Sequence, residues 1–219
     1  MMLKLTAADG HEFQSFEAGT VNAPRALVVV QEIFGVNPHM RLVSERLASY
    51  GYHVLCPALF DRVERGVELG YGPADRDKGL ELRAKIPESA VMQDIEAVVT
   101  ALGNRPVGII GYCWGGTIAW LGATKTERFK AAIGWYGGGI AAEKTLRPHC
   151  PVQLHFGEAD TGIPMADVDA IRQAQPGVEI FTYPGAQHGF GCEARASYSA
   201  KDCELAELRS LAFFAEHLR

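Results

Sequence analysis

The chain alternates between short apolar runs and longer segments with helical periodicity. Residues 27–31 form a continuous, mostly β-branched apolar run, which is typical of a strand covered on both faces. Similar runs predict further strands at 53–56, 107–112, 131–136, 152–156 and 178–183. Helical periodicity predicts helices at 38–50, 88–102, 117–124, 166–175 and 205–218. Alternating strands and helices predict an α/β protein with a mostly parallel central sheet and helices on both faces.

Two other segments complete the predicted organisation. Residues 3–6 and 12–16 are expected to form an antiparallel pair at the N-terminal edge of the sheet. Residues 61–87 are rich in glycine and charge, and they predict a long loop with a short helix near 75–85. A loop of this length in a compact domain is often functional. No repeat or linker divides the chain, so we expect one domain over residues 1–219.

The predicted helix at 38–50 has a mixed pattern of apolar and charged positions. We expect its apolar side to consist of Leu42, Val43, Leu47 and Tyr50, with Gly51 ending the helix.

Composition excludes several classes of protein. The 219 residues are 47% hydrophobic and carry a net charge of −5, so nothing favours binding to nucleic acid or to an anionic membrane. No apolar run approaches the roughly 18 residues of a membrane span, and the first residues turn polar too soon for a signal peptide, so we expect a cytoplasmic protein. The five cysteines have neither paired nor zinc-type spacing, which predicts free thiols and no metal or other cofactor.

A glycine-bounded cysteine follows the predicted strand at 107–112. Residues 111–116 read Gly-Tyr-Cys-Trp-Gly-Gly, which is the nucleophile elbow of α/β-hydrolases with Cys113 in place of serine. Such an elbow turns sharply from strand to helix, and the helix N-terminus favours a thiolate. Cys113 could instead be one more small buried side chain, but its position between an apolar strand and two glycines favours a nucleophile.

A histidine and an acid follow the last two predicted strands. His188 lies in a glycine-bounded loop after residues 178–183, where this fold places its general base. Asp160 follows residues 152–156 and is the candidate triad acid, although Glu158 is close enough to compete. The chain order of nucleophile, acid and histidine favours Asp160, which would orient and stabilise the charged imidazole.

Together with these residues, the run Gln-Glu-Ile-Phe-Gly-Val-Asn at 31–37 resembles the dienelactone hydrolases, or carboxymethylenebutenolidases, from about Asp9 to the C-terminus. The resemblance implies an α/β-hydrolase that cleaves a small lactone or carboxylic ester through a Cys-His-Asp triad and a thioester. It also implies that Glu32 holds the resting thiol and takes up its proton when substrate arrives. The expected oxyanion hole consists of the backbone N–H groups of Ile33 and Trp114.

The substrate-binding residues depart from that family's pattern. The well-known dienelactone hydrolases bind a substrate carboxylate with two arginines. At the first position a rough alignment places Lys78, with Arg76 and Arg83 nearby; the second position, four residues after the histidine, is Cys192, with Arg195 three residues further on. Lysine is a point charge that does not replace the bidentate fork of arginine, so the chemistry carries over better than the substrate.

Three alternatives remain open. Glutamine amidotransferases also use a cysteine elbow, but their histidine and glutamate lie two residues apart, whereas Phe190 follows His188 at that spacing. A non-catalytic thiol sensor would use Cys113 but would not need both Asp160 and His188. A general esterase or thioesterase with the same triad cannot be separated from a lactonase by sequence.

Overall fold

The computed structural model describes all 219 residues, which cluster into two compact units, 1–107 and 108–219. The eight strands pair mostly in parallel, with antiparallel pairs at the N-terminal edge, as the sequence predicts. No helix combines the length and the apolar character that a membrane crossing requires. The expectation of one domain over the whole chain stays a prediction.

The first unit is built on four strands in the spatial order β1, β2, β4, β3. Strand β1 (Met2–Thr6) pairs antiparallel with β2 (Glu12–Ala18), which pairs antiparallel with β4 (Tyr52–Pro57). Strand β3 (Arg25–Val30) pairs in parallel with β4, and almost all of its side chains are buried. This burial confirms the expectation from its continuous apolar run.

Three helices complete the first unit: α1 (Pro38–Ser49), α2 (Pro73–Ala84) and α3 (Glu88–Leu102). A short 3₁₀ turn at Leu59–Arg62 follows β4 and was not predicted. The predicted apolar stripe of α3 is confirmed, because Val91, Ile95, Val98, Val99 and Leu102 are all buried. The segment predicted as a long loop with a short helix contains the full twelve-residue helix α2.

The apolar side predicted for α1 is partly wrong. Val43 and Leu47 are buried, but Leu42 and Tyr50 are 60% and 50% exposed. The buried apolar stripe instead starts two positions earlier, at Met40, and continues through Val43 and Leu47 with the i, i+3, i+7 spacing of one helix face. Leu42 lies beside that stripe, and Tyr50 is the C-cap residue.

The second unit is built around four parallel strands in sequence order. These are β5 (Val107–Tyr112), β6 (Ala131–Trp135), β7 (Val152–Gly157) and β8 (Glu179–Tyr183). The helices are α4 (Trp114–Lys125), α5 (Met165–Ala174) and α6 (Ala200–His217). Because parallel strands end at the same edge of a sheet, the loops after β5, β7 and β8 bring Cys113, Asp160 and His188 to one edge.

A buried histidine connects β7 and β8 with α6. His155 Nδ1 lies 2.8 Å from Tyr183 Oη, and His155 Nε2 lies 2.9 Å from Gln153 Oε1 and 3.2 Å from Ser210 Oγ. These partners suit a neutral imidazole that donates from Nε2 and accepts at Nδ1. Burial and the nearby charge of Arg209 lower the pKa of His155 to about 3. The imidazole is therefore neutral in the folded protein at neutral pH.

This neutral histidine should make stability depend on pH. Below the ordinary histidine pKa, His155 binds a proton in the unfolded chain, but in the folded protein it stays neutral down to about pH 3. The free energy of unfolding therefore decreases as pH falls from about 6.5 to 3. We expect His155 to contribute a loss of about 1.4 kcal/mol per pH unit. Urea unfolding at a series of pH values measures this slope.

The matched control is His149, which is exposed. His155→Gln should flatten the fall in unfolding free energy between pH 6 and pH 4, whereas His149→Gln should retain the wild-type slope. Parallel slopes for the wild-type protein and His155→Gln would contradict the assignment.

Candidate active site

Cys113 occupies a strained turn between β5 and α4. Its backbone has φ 55° and ψ −115°, in the positive-φ region that non-glycine residues rarely adopt. A side chain at Gly111 would overlap the backbone of Gly115, and one at Gly116 would lie 2.6 Å from the carbonyl oxygen of Trp135. Close backbone packing therefore requires glycine at Gly111 and Gly116. The elbow is confirmed as a structure, with the thiol partly exposed at a helix N-terminus.

His188 is hydrogen bonded to a buried carboxylate. His188 Nδ1 lies 2.7 Å from Asp160 Oδ2, and the Asp160 side chain is fully buried. The backbone N–H of Gly162 donates to Asp160 Oδ1 at 2.8 Å, which fixes the carboxylate. The competing acid, Glu158, is exposed and accepts a hydrogen bond from Thr182 Oγ1 at 2.8 Å. The geometry thus selects Asp160 as the partner of the histidine.

The protonation of His188 depends on both of its neighbours. Burial alone would lower the pKa of His188, but hydrogen bonds and charge interactions with Asp160 and Cys113 outweigh burial and raise it to about 10. Since Nδ1 faces Asp160, the other ring nitrogen, Nε2, is the one left to interact with Cys113. An imidazolium held by a carboxylate can stabilise a neighbouring anion and later release a proton.

Tyr136 is a neighbour of this site that the sequence analysis missed. It follows β6, has φ 40°, and is the only non-glycine residue besides Cys113 with positive φ. Its ring is buried and contacts the His188 imidazole edge-to-face, with centroids 5.2 Å apart. Strained backbone often clusters at functional sites. The glycine run directly after it, residues 137–139, is the one sequence signal that could have drawn attention to this turn.

Glu32 is the second residue after β3 and has a fully buried side chain. Its Oε2 accepts a hydrogen bond from Tyr71 Oη at 3.1 Å. The next residue, Ile33, packs against α2 so closely that a side chain at Gly79 would overlap the Ile33 carbonyl oxygen. The expected second oxyanion residue, Trp114, is the first residue of α4. The placement of Ile33 and Trp114 at these loop and helix starts agrees with the sequence, and their catalytic roles stay predictions.

A family model for the dienelactone hydrolases matches residues 13–218. The chain is 40% identical over 195 residues to a Synechocystis protein provisionally named carboxymethylenebutenolidase, covering 80% of this chain and 79% of the relative. A carboxymethylenebutenolidase from Pseudomonas putida is 31% identical over 227 residues, covering 97% of this chain and 95% of that one. The chain belongs to the dienelactone hydrolase family. It is therefore a hydrolase that acts on esters or lactones.

Structural comparison agrees with this family assignment. A solved structure from Klebsiella pneumoniae, provisionally named a dienelactone hydrolase, superimposes with a TM-score of 0.82 at 30% identity. The superposition covers 98% of this chain and 99% of that chain. The predicted α/β-hydrolase fold is confirmed.

The cations predicted for substrate binding differ in their surroundings. Lys78 lies on α2 with its Nζ 2.7 Å from Glu64 Oε2 at the surface, and this hydrogen bond raises the pKa of Lys78. Arg76 and Arg83 are exposed on the same helix. A third arginine, Arg195, packs its guanidinium against Gly189, the residue after His188. The contact is so close that a side chain at Gly189 would overlap the guanidinium. Arg195 is thus the cation that the structure places beside the histidine turn.

Cys192 stands where the family resemblance implies the second arginine, and it is buried. Its backbone N–H donates to the carbonyl oxygen of Gly189 at 2.9 Å, so residue 192 closes the tight turn after His188. The side chain is a small buried thiol and supplies no positive charge.

Proposed function

We propose that this chain hydrolyses a lactone or carboxylic ester through a thioester on Cys113. The observation that carries the proposal is the hydrogen bond of 2.7 Å between Asp160 Oδ2 and His188 Nδ1, which leaves His188 Nε2 for the sulfur of Cys113. This arrangement has the same logic as a serine hydrolase triad, with a thiol as nucleophile.

The first half-reaction forms the acyl-enzyme. The Cys113 thiolate attacks the carbonyl carbon, and the C=O π pair moves to oxygen, where the N–H groups of Trp114 and Ile33 would stabilise the negative charge. The tetrahedral intermediate collapses as the C–O bond to the leaving group breaks, and His188 Nε2 donates its proton to the departing alkoxide. When the substrate is a lactone, the alcohol formed remains attached to the acyl chain.

The second half-reaction releases the product. Neutral His188 takes a proton from water, and the resulting hydroxide attacks the thioester carbonyl. The C–S bond then breaks, which releases the carboxylic acid and leaves a Cys113 thiolate beside imidazolium until the sulfur regains the proton of its resting thiol. Throughout, Asp160 keeps the imidazole in one tautomer and stabilises its positive charge.

Glu32 is proposed to hold the resting thiol, as the family resemblance implies. In this role the carboxylate takes the S–H proton of Cys113 when substrate arrives, so the free enzyme carries an unreactive thiol. Support comes from the burial of an acidic side chain two residues after an apolar strand, because a buried carboxylate is costly unless it has compensating partners. This assignment of Glu32 rests on the sequence resemblance and on that burial.

We further propose that the substrate carries a carboxylate that Arg195 binds. The guanidinium of Arg195 lies against Gly189, in the turn that presents His188. A carboxylated lactone should therefore be hydrolysed with a higher kcat/KM than its neutral methyl ester, by about 10-fold for one partly screened ion pair. Steady-state kinetics on both compounds and on a simple activated ester measure this preference.

Variants at the two cations sharpen the test. Arg195→Gln should lose the preference for the carboxylated lactone mainly through KM while keeping its rate on the neutral ester, and Lys78→Gln should change neither by more than about twofold. Equal efficiency of the wild-type enzyme on both lactones would remove the carboxylate from the proposal. Absence of turnover on every compound would instead favour a thiol sensor.

A further inference from the structure

The irregular segment before α2 docks onto the loop that carries Glu32. The backbone N–H of Leu69 donates to the carbonyl oxygen of Phe34 at 2.9 Å, and Asn37 Nδ2 donates to the carbonyl oxygen of Leu69 at 3.1 Å. The ring of Tyr71 packs edge-to-face on Phe34, with centroids 4.6 Å apart. These contacts hold Tyr71 at the end of β3, although it lies 39 positions away from Glu32 in the chain.

The Tyr71 hydroxyl lies between an amide donor and a buried carboxylate. Asn37 Nδ2 lies 3.2 Å from Tyr71 Oη, and Tyr71 Oη lies 3.1 Å from Glu32 Oε2. The orientation of the Asn37 amide is determined, because its Oδ1 accepts the N–H of Met40 at 3.1 Å as the N-cap of α1. Asn37 therefore donates to the tyrosine oxygen, and the tyrosine O–H proton is directed at the Glu32 carboxylate.

We propose that Tyr71 is a positioning residue that favours the ionised form of Glu32 and so keeps Cys113 as a thiol in the free enzyme. The inference rests on the role proposed above for Glu32. It assigns a function to the segment before α2, which lies within the stretch at 61–87 that the sequence indicated as functional.

The physical reason is the difference between a charged and a neutral hydrogen-bond acceptor. In the proposed transfer the S–H bond of Cys113 breaks, an O–H bond forms on Glu32, and the negative charge moves from the carboxylate to sulfur. A hydrogen bond to a carboxylate is stronger than one to a carboxylic acid, so Tyr71 opposes this transfer until substrate compensates for it.

The variant Tyr71→Phe removes only the hydroxyl group. We expect the free variant to be alkylated at Cys113 by iodoacetamide at pH 7 about tenfold faster than the wild-type enzyme, because more of the sulfur is thiolate at rest. Peptide mapping assigns the modification to Cys113, and thermal melting confirms that the variant is folded. A lower melting temperature with alkylation within twofold of wild type would mean that Tyr71 only anchors its loop, and would overturn the inference.

Two controls isolate the effect. Tyr50→Phe removes the hydroxyl of a tyrosine that is 50% exposed, and it should leave the alkylation rate unchanged. In a Glu32→Gln background, adding Tyr71→Phe should cause no further change, since glutamine cannot take up the proton. An equal acceleration in that background, or slower alkylation of Tyr71→Phe alone, would also overturn the inference.

The hydrolytic activity of Glu32→Gln distinguishes failure of this inference from failure of the role proposed for Glu32. If Glu32→Gln retains wild-type kcat/KM, the proposed role of Glu32 fails. If its kcat/KM falls while Tyr71→Phe alkylates as the wild-type enzyme does, Glu32 keeps its role and only the assignment of Tyr71 fails.

Discussion

Replacing Cys113 with alanine should lower kcat for ester and lactone hydrolysis by about 10⁴-fold or more, because a covalent nucleophile cannot be replaced by the remaining binding contacts. The strained backbone of residue 113 should tolerate alanine no worse than cysteine, so the variant should remain folded. Stopped-time mass spectrometry of the wild-type enzyme with an activated ester should show an acyl group on Cys113, and Cys113→Ala should show none.

Cys150 provides the matched control for this variant. It is also a partly exposed free thiol, but burial raises its pKa to about 12, so it is a poor nucleophile at neutral pH. Cys150→Ala should hydrolyse esters within about twofold of the wild-type rate. Full activity after complete alkylation of Cys113, or after its replacement, would exclude the proposed thioester.

The second large effect should follow from Asp160→Asn, which retains the shape of the side chain but removes its charge. The hydrogen bond of 2.7 Å to His188 Nδ1 selects the tautomer that leaves Nε2 for the nucleophile. An asparagine can favour the wrong tautomer, and it lowers the raised pKa of His188 by removing the carboxylate. We expect kcat to fall on the order of 10³- to 10⁴-fold with a small change in KM.

Glu158→Gln makes the same chemical change two residues away. Glu158 is exposed and hydrogen bonded to Thr182, so this variant should remain within about twofold of wild-type activity. The two variants together test which acid serves the histidine. A large loss with Glu158→Gln and none with Asp160→Asn would reverse the assignment, and thermal melting would exclude misfolding as the cause.

The strand runs and the elbow could be identified from sequence because their signals are local. Five apolar residues in succession indicate the buried strand at 25–30. Glycines at fixed offsets from Cys113 indicate the elbow, and backbone packing requires glycine at Gly111 and Gly116. Sequence predicts the buried face of a helix less reliably, as α1 shows. There a shift of the buried stripe by one or two positions leaves Leu42 exposed, because the final choice depends on what packs against the helix.

By itself, then, the sequence determined the α/β class and predicted the nucleophile and the histidine, since each depends on residues that are adjacent in the chain. Only the tertiary structure decided whether Asp160 or Glu158 is hydrogen bonded to the histidine. It also places the ring of Tyr136 against His188 and the hydroxyl of Tyr71 within hydrogen-bond distance of Glu32. These contacts join residues up to 52 positions apart, as between Tyr136 and His188. Their geometry depends on which strand ends and loops become neighbours when the sheet forms, and no local pattern in the chain encodes that choice.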